Sequence, residues 1–229
     1  MKTIKYLILI TLLLTISVTT LYAATNCSFP AQTDIPETEC DALIAIYNNT
    51  AGASWTDSPG NGWNQNDSPC SWSGVVCSGG GSGNVIEVSK LSNNLTGVLP
   101  DLSALTNLEH LGFYDNNLTG DIPNLSGLNS LRNLYFENNN LTGTIPAQLG
   151  NLLNLEMLEL DNNQLTGTIP PQLGNLTKLI ELELNNNNLT GGIPDLSLLT
   201  DLQVLRLRDN QLTGPILEVS TLTSLTELS

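Results

Sequence analysis

Leucine recurs along most of the chain at a short and nearly constant period. The triplet Leu-Thr-Gly returns at spacings of 23, 23, 24, 24 and 23 residues, beginning at Leu95, Leu118, Leu141, Leu165, Leu189 and Leu212. Between triplets the order is L-x-x-L-x-x-L-x-L-x-x-N-x-L. Alternate residues of a strand point to opposite faces, so L-x-L predicts a short strand with its leucines inward. Units stacked at this period predict an α/β solenoid with a parallel sheet along its inner wall.

A single asparagine occupies the same position in every unit: Asn116, Asn139, Asn163, Asn187 and Asn210. An amide turned inward there can donate to and accept from backbone groups that the turn leaves unpaired. We therefore predict a structural ladder that runs from coil to coil. The first unit departs from the pattern, because Lys90 stands where an inward leucine belongs, and we expect that coil to be irregular.

The segment before the repeats predicts a cap for one end of the solenoid. From about residue 37 to residue 48, Leu43, Ile46 and Tyr47 recur at helical spacing, and Gly52 follows as a helix stop. The first coil of a solenoid would otherwise expose its apolar core to water. We predict that the helix covers this core together with three buried tryptophans, Trp55, Trp63 and Trp72.

Four cysteines lie in the first third of the chain, at Cys27, Cys40, Cys70 and Cys77. An even number of cysteines in an exported chain favours disulfides. Three pairings are open, and proximity in the sequence favours Cys27–Cys40 with Cys70–Cys77. A zinc site is the alternative, but the single histidine, His110, is distant in the sequence. We accordingly predict no metal ligands and no cofactor.

The first 23 residues have the order of a secretory signal peptide. Lys2 and Lys5 precede an apolar run, and small residues follow at Ala23 and Ala24. The run is shorter than the roughly 20 residues that span a bilayer, so we expect cleavage and no membrane insertion afterwards, with an uncleaved anchor as the alternative. The predicted organisation is a signal peptide at 1–23, an N-terminal capping domain at 24–92 and repeats at 93–229. The last unit stops inside its strand, so we expect an array that is incomplete at its C-terminus.

The repeats and their flank resemble a known family. The unit LTGTIPAQLGNLLNLEMLELDNNQ, at 141–164, is similar to the plant-type extracellular leucine-rich repeats of receptor-like kinase ectodomains and polygalacturonase-inhibiting proteins. The string CSWSGVVC, at 70–77, resembles the N-terminal cap of the same family. The resemblance covers about residue 40 to the end, and no kinase or transmembrane segment accompanies it. It implies a right-handed superhelix with a concave parallel sheet and a disulfide-bonded helical cap.

Charge and motif content narrow the range of functions. The 229 residues include 22 Asp+Glu against 7 Lys+Arg, a formal net charge of -15. Few cations remain to neutralise a run of phosphates, so nucleic acid is excluded as a partner, and an anionic membrane surface is disfavoured. The sequence contains no metal-ligand spacing, phosphate loop or glycine-flanked nucleophile. We therefore expect a protein that is not an enzyme.

The outward positions of the predicted strands define a zoned concave wall. Its candidate ligand-binding residues are aromatic at one end (His110, Tyr114, Tyr135), acidic in the centre (Glu137, Glu159, Asp161, Glu181, Glu183) and basic at the other end (Arg206, Arg208). Neighbouring carboxylates can steer a basic protein or peptide towards the wall. The alternatives for the acidic centre are a solvated face and Ca²⁺ held between coils.

These observations predict a secreted or cell-surface recognition module that binds a protein or peptide, of basic character, on its concave face. A polysaccharide or cell-wall ligand stacked on Tyr114 and Tyr135 is the alternative. Ice binding is a third interpretation, because the triplets repeat a threonine on one flank, at Thr96, Thr119, Thr142, Thr166, Thr190 and Thr213. Sequons make the chain a candidate glycoprotein; they occur at Asn26, Asn48, Asn66, Asn94, Asn117, Asn124, Asn140, Asn175 and Asn188.

Overall fold

The computed structural model describes residues 27, 34–58, 62–63, 68–214 and 220–229. The predicted signal peptide at 1–23 lies outside these residues. The described part contains one α-helix, α1 (Glu37–Asn49). Short 3₁₀ turns lie at Gly52–Ser54, Pro69–Ser71, Ser78–Gly80, Ala147–Asn151 and Pro171–Asn175. The strands are β1 (Val75–Cys77), β2 (Val85–Ser89), β3 (Thr96–Val98), β4 (His110–Gly112), β5 (Asn117–Asp121), β6 (Asn133–Tyr135), β7 (Asn140–Thr142), β8 (Met157–Glu159), β9 (Thr166–Thr168), β10 (Glu181–Glu183), β11 (Asn188–Gly191), β12 (Val204–Arg206), β13 (Gln211–Leu212) and β14 (Glu227–Leu228).

The strands form one long sheet and two short flanking sheets. The long sheet has the order β1-β2-β4-β6-β8-β10-β12-β14, and its pairs are parallel except β1 with β2. The flanking sheets, β3-β5-β7 and β9-β11-β13, contain the Leu-Thr-Gly triplets. The core leucines pair with one another in register, as Leu158 does with Leu134 and Leu182. This is the solenoid with a parallel concave sheet that the repeat predicts.

The predicted asparagine ladder is confirmed by its hydrogen bonds. Asn163 illustrates it: its Oδ1 accepts from the Leu141 N–H at 2.9 Å, one coil earlier. Its Nδ2 donates to the carbonyls of Phe136, Leu160 and Asp161 at 2.9, 3.2 and 3.1 Å. Asn116, Asn139, Asn187 and Asn210 repeat this pattern. Each amide thus satisfies backbone groups of two neighbouring coils.

The cap has the predicted composition. In α1, Leu43 and Ile46 are fully buried. Trp55, Trp63 and Trp72 are buried in succession, with ring centroids 5.1 and 5.3 Å apart. Both predicted disulfides are confirmed, Cys27–Cys40 and Cys70–Cys77. β1 pairs antiparallel to β2 and covers the first edge of the long sheet.

The first coil places Lys90 inward, as counting back from Asn93 predicts. β2 pairs with β4 without a register shift, so Lys90 takes the inward position that Phe113 holds one coil later. The predicted irregularity lies on the other side of β2, where its pairing with β1 shifts register between Val76 and Cys77. The Lys90 side chain is 3% exposed, and its Nζ lies 2.6 Å from Asp57 Oδ2 and 5.2 Å from the ring centroid of Trp55. Burial lowers the pKa of Lys90, and Asp57 opposes that shift. A lysine fits here because the cap supplies a carboxylate and an aromatic face.

Candidate ligand-binding wall

Three columns of outward side chains make up the concave wall. Strand register aligns the residues on either side of each core leucine, and a third column follows two residues later. The first column contains Glu87, His110, Asn133, Met157, Glu181 and Val204. The second contains Ser89, Gly112, Tyr135, Glu159, Glu183 and Arg206. The third contains Leu91, Tyr114, Glu137, Asp161, Asn185 and Arg208.

The structure brings the five predicted acidic residues together on three successive coils. Burial, followed by the charges of Glu137 and Glu183, raises the pKa of Glu159 to about 8. Burial also raises the pKa of Glu137 to about 7, and the charges of Asp161, Asp115 and Glu183 act in the same direction. The pKa of Asp161 is raised by burial and then by Glu183. Ionising the acidic centre is therefore unfavourable, because its carboxylates are partly buried and repel one another.

The basic end of the wall is joined to the acidic centre. Arg206 Nη1 lies 2.5 Å from Glu183 Oε1, and Arg206 Nε lies 2.6 Å from Glu227 Oε1. Arg208 and Asp209 are both 62% exposed, and the nearest contact between their charged groups is 3.8 Å. Of the two arginines predicted to close the wall, Arg206 is held by two carboxylates, and Arg208 remains accessible.

Three oxygen atoms of the third column have no hydrogen-bond partner among the residues that the structure describes. They are Glu137 Oε2, Asp161 Oδ1 and Asn185 Oδ1, all shielded from solvent. Asn185 is 4% exposed although it belongs to a wall column, and it is not among the ligand-binding residues that the sequence predicts. The signal that could have found it is positional, since Asn185 holds the place of Glu137 and Asp161 one coil further on.

The aromatic end is less uniform than predicted. The Tyr135 hydroxyl accepts a hydrogen bond from Asn133 Nδ2 at 2.5 Å. Burial raises the pKa of Tyr135, and Glu159 and Glu181 add to that shift. The Tyr135 ring packs beside Gly112 of the neighbouring coil. It is close enough that a Cβ atom at Gly112 would lie 3.7 Å from the ring. Tyr135 thus lies next to the acidic centre, whereas His110 and Tyr114 lie on the preceding coil.

Neither a metal-binding cluster nor a membrane-spanning helix occurs among the described residues. No group of three or more His, Cys, Asp or Glu side chains in this part of the chain is arranged to hold a metal ion. Among the same residues, α1 and the short turns offer no helix long and apolar enough to cross a bilayer.

The flank and the repeats match two family models. Residues 36–78 match the leucine rich repeat N-terminal domain, and the leucine rich repeat matches at 107–128, 130–152, 154–176 and 178–197. The chain belongs to the plant-type extracellular leucine-rich-repeat proteins. Receptor-like protein kinase HSL1 of Arabidopsis thaliana is 49% identical over 55 residues. That match spans 23% of this chain and 5% of the length of that relative.

Solved structures of plant leucine-rich-repeat proteins share the fold. The ectodomain of the receptor kinase GASSHO1/SCHENGEN3 from Arabidopsis thaliana, in complex with CASPARIAN STRIP INTEGRITY FACTOR 2, is 39% identical with a TM-score of 0.73. That match covers 82% of this chain and 23% of the receptor chain. A plant ice-binding protein is 30% identical with a TM-score of 0.71, covering 85% of this chain and 62% of the other.

Proposed function

We propose that the chain is a secreted or cell-surface recognition module, without catalytic activity, that binds a peptide or protein ligand on its concave wall. The observation that supports this most directly is the acidic centre. Of its five carboxylates, Glu183 is the one paired with a cation in the described part of the chain. A basic ligand segment would supply the missing positive charge. The likeness to an ectodomain solved with its ligand supports the same function.

A displayed library of random peptides tests this function. We expect the protein to enrich basic peptides, because the carboxylates attract them and pair with them. The variant Glu159→Lys/Glu181→Lys should weaken binding of selected peptides by about tenfold or more, a difference of about 1.4 kcal/mol. It reverses charge at two partly buried positions that have no ion pair. A matched control, Asp121→Lys/Asp201→Lys, makes the same charge change at exposed positions away from the wall.

Two results would count against the concave wall as the binding site. One is an equal loss of affinity in the wall variant and the control. That result would mean that the net charge of the protein, and not the position of the carboxylates, determines binding. The other is a selection that enriches no peptide dependent on the wall. A glycan array run in parallel addresses the polysaccharide alternative, for which binding should depend on Tyr114 and Tyr135.

The flank of the solenoid supports a second candidate function, ice binding. Thr119, Thr166 and Thr190 are exposed on the flanking sheets, and their hydroxyls donate to a glycine carbonyl of the preceding coil at 3.2, 2.9 and 3.3 Å. These bonds orient three threonines of the row alike, whereas Thr142, between Thr119 and Thr166, donates to Asp121 Oδ1 at 3.4 Å. The likeness to a plant ice-binding protein favours the same candidate. Thermal hysteresis that disappears in Thr166→Lys/Thr190→Lys and persists in Glu159→Lys/Glu181→Lys would support it; absence of hysteresis in the unaltered protein would remove it.

A further inference from the structure

The three unpartnered oxygens of the wall form one row across the coils. Glu137 Oε2, Asp161 Oδ1 and Asn185 Oδ1 occupy equivalent positions in three successive coils, and we call them the acceptor column. Asp161 and Asn185 are 7% and 4% exposed. Buried acceptors without donors are destabilising, and native proteins leave few of them. The acceptor column therefore lacks a hydrogen-bond donor that something outside the described chain can supply.

The charges around the column show that this donor should be a cation. Two of the three side chains are carboxylates, and Glu159 and Glu183 lie close enough to act on them electrostatically. Burial raises the pKa values of Glu137 and Asp161, and neighbouring carboxylates add to both shifts, whereas Arg206 opposes part of the shift of Asp161. Arg206, the nearest cation of the wall, is held by Glu183 and Glu227. A neutral donor would satisfy the oxygens and leave the charge unbalanced.

The spacing of the column distinguishes between kinds of cation. Neighbouring strands lie about 4.7–4.9 Å apart, so the backbones at Glu137 and Asn185 are separated by two such steps. Ca²⁺ binds its oxygen ligands at about 2.3–2.6 Å and would have to gather them around one point. A lysine ammonium also presents its donors from one point, whereas a guanidinium presents five N–H donors in a planar fork. The row of acceptors fits the fork best.

We propose that the acceptor column seats the guanidinium of an arginine side chain of the ligand. The inference rests on the proposed function, because it assigns one residue type of a peptide or protein ligand to one place on the concave wall. The three oxygens are shielded from solvent in the free protein, so binding requires side chains of the wall to rotate aside. Side-chain rotations of this kind are common at interfaces that keep their backbone fixed.

A small probe tests the arginine seat directly. N-acetyl-arginine amide is titrated into the ¹⁵N-labelled protein at pH 8, and the side-chain amide signals of Asn185 are followed by NMR. We expect a saturable shift of these signals, with binding of N-acetyl-lysine amide at least about fivefold weaker and of the uncharged citrulline analogue weaker still. Calcium chloride at the same concentration should not displace the probe. Equal binding of the lysine or citrulline probe, displacement by calcium, or an unmoved Asn185 signal would overturn the seat.

Two glutamate variants separate a specific seat from general attraction. Glu137→Gln removes a carboxylate of the column, and Glu181→Gln removes one from the same acidic centre but outside the column. We expect about tenfold weaker binding of the arginine probe for Glu137→Gln, the usual loss for a hydrogen bond to a charged group, and less than about twofold for Glu181→Gln. Equal losses of affinity would mean that the electrostatic field of the acidic centre, and not a specific contact with the acceptor column, attracts the probe. Both substitutions keep the side-chain shape, and thermal melting of each variant checks its folding.

The peptide selection distinguishes failure of this inference from failure of the proposed function. Peptides that require Glu159 and Glu181, yet contain lysine as often as arginine and tolerate Glu137→Gln, would leave the concave-wall function standing and overturn the arginine seat. A selection without wall-dependent peptides contradicts the proposed function, and the probe titration still decides whether the column binds a guanidinium.

Discussion

Replacing Glu159 by glutamine should stabilise the protein at pH 8 and leave its stability at pH 4.5 almost unchanged. Burial, followed by the charges of Glu137 and Glu183, raises the pKa of Glu159 from 4.5 to about 8. A carboxyl whose pKa is higher in the folded chain than in the unfolded chain favours folding while it is protonated. Its contribution is complete below about pH 4.5 and is lost as the pH rises through about 8. Glutamine remains neutral, so the variant should not show the part of the stability loss that comes from ionising residue 159.

The magnitude follows from the size of the pKa change and the exposure of the group. A change from 4.5 to about 8 corresponds to about 5 kcal/mol, at about 1.36 kcal/mol for each pH unit. Glu159 is only about half-buried, and water screens charges at such positions, so we expect about 1–2 kcal/mol at pH 8. For a chain of this size that gain should raise the Tm by about 2–8 °C.

Urea denaturation followed by circular dichroism, at intervals from pH 4.5 to pH 9, measures the effect. Asp201→Asn is the matched control, because it removes the same charge at an exposed position away from the wall. The difference between the two variants should grow with pH and shrink in high salt, which screens repulsion among the carboxylates. A Glu159→Gln variant that matches the control at every pH, or that is destabilised at pH 8, would refute the argument.

Three other outcomes follow from contacts described above. Asp57→Asn should destabilise the protein by about 3 kcal/mol because it leaves the buried Lys90 ammonium without its counter-charge, whereas Lys90→Met should cost less than about 1 kcal/mol; urea denaturation measures both. Asn163→Ala should cost about 2–4 kcal/mol in the same assay, since one N–H and three carbonyls lose a partner, and the more exposed Asn210→Ala should cost less. The affinity for N-acetyl-arginine amide should fall about tenfold from pH 8 to pH 6, because the seat needs Glu137 ionised and its pKa is about 7. On binding at pH 6, Glu137 should release a proton to the buffer, which calorimetry in buffers of different ionisation enthalpy detects. An affinity that does not depend on pH would contradict the role of Glu137.

The repeat made most of the fold predictable, since its period sets the strand register. Once Leu158 is inward, Glu159 must face the wall and Asn163 must lie in the turn, and the structure places both there. The same reasoning gave the columns of the candidate site. What it could not give depends on side-chain reach between coils. The pairing of Arg206 with Glu183, and the lack of a donor for Asn185 Oδ1 among the described residues, follow from packing that a one-dimensional pattern does not encode.

The scarcity of basic residues explains why the wall needs a partner for its charge. Five of the seven Lys and Arg residues lie in the described part of the chain. Lys90 is buried against Asp57, Arg132 pairs with Glu156 at the edge of the wall, and Lys178 donates to Asn154. The two remaining arginines lie at the far end of the wall, one of them held by carboxylates and the other exposed. Within the described residues, therefore, no Lys or Arg side chain forms an ion pair with Glu137, Glu159 or Asp161. Screening by salt can lower their repulsion, and a ligand that brings its own N–H donors can in addition satisfy the three buried oxygens.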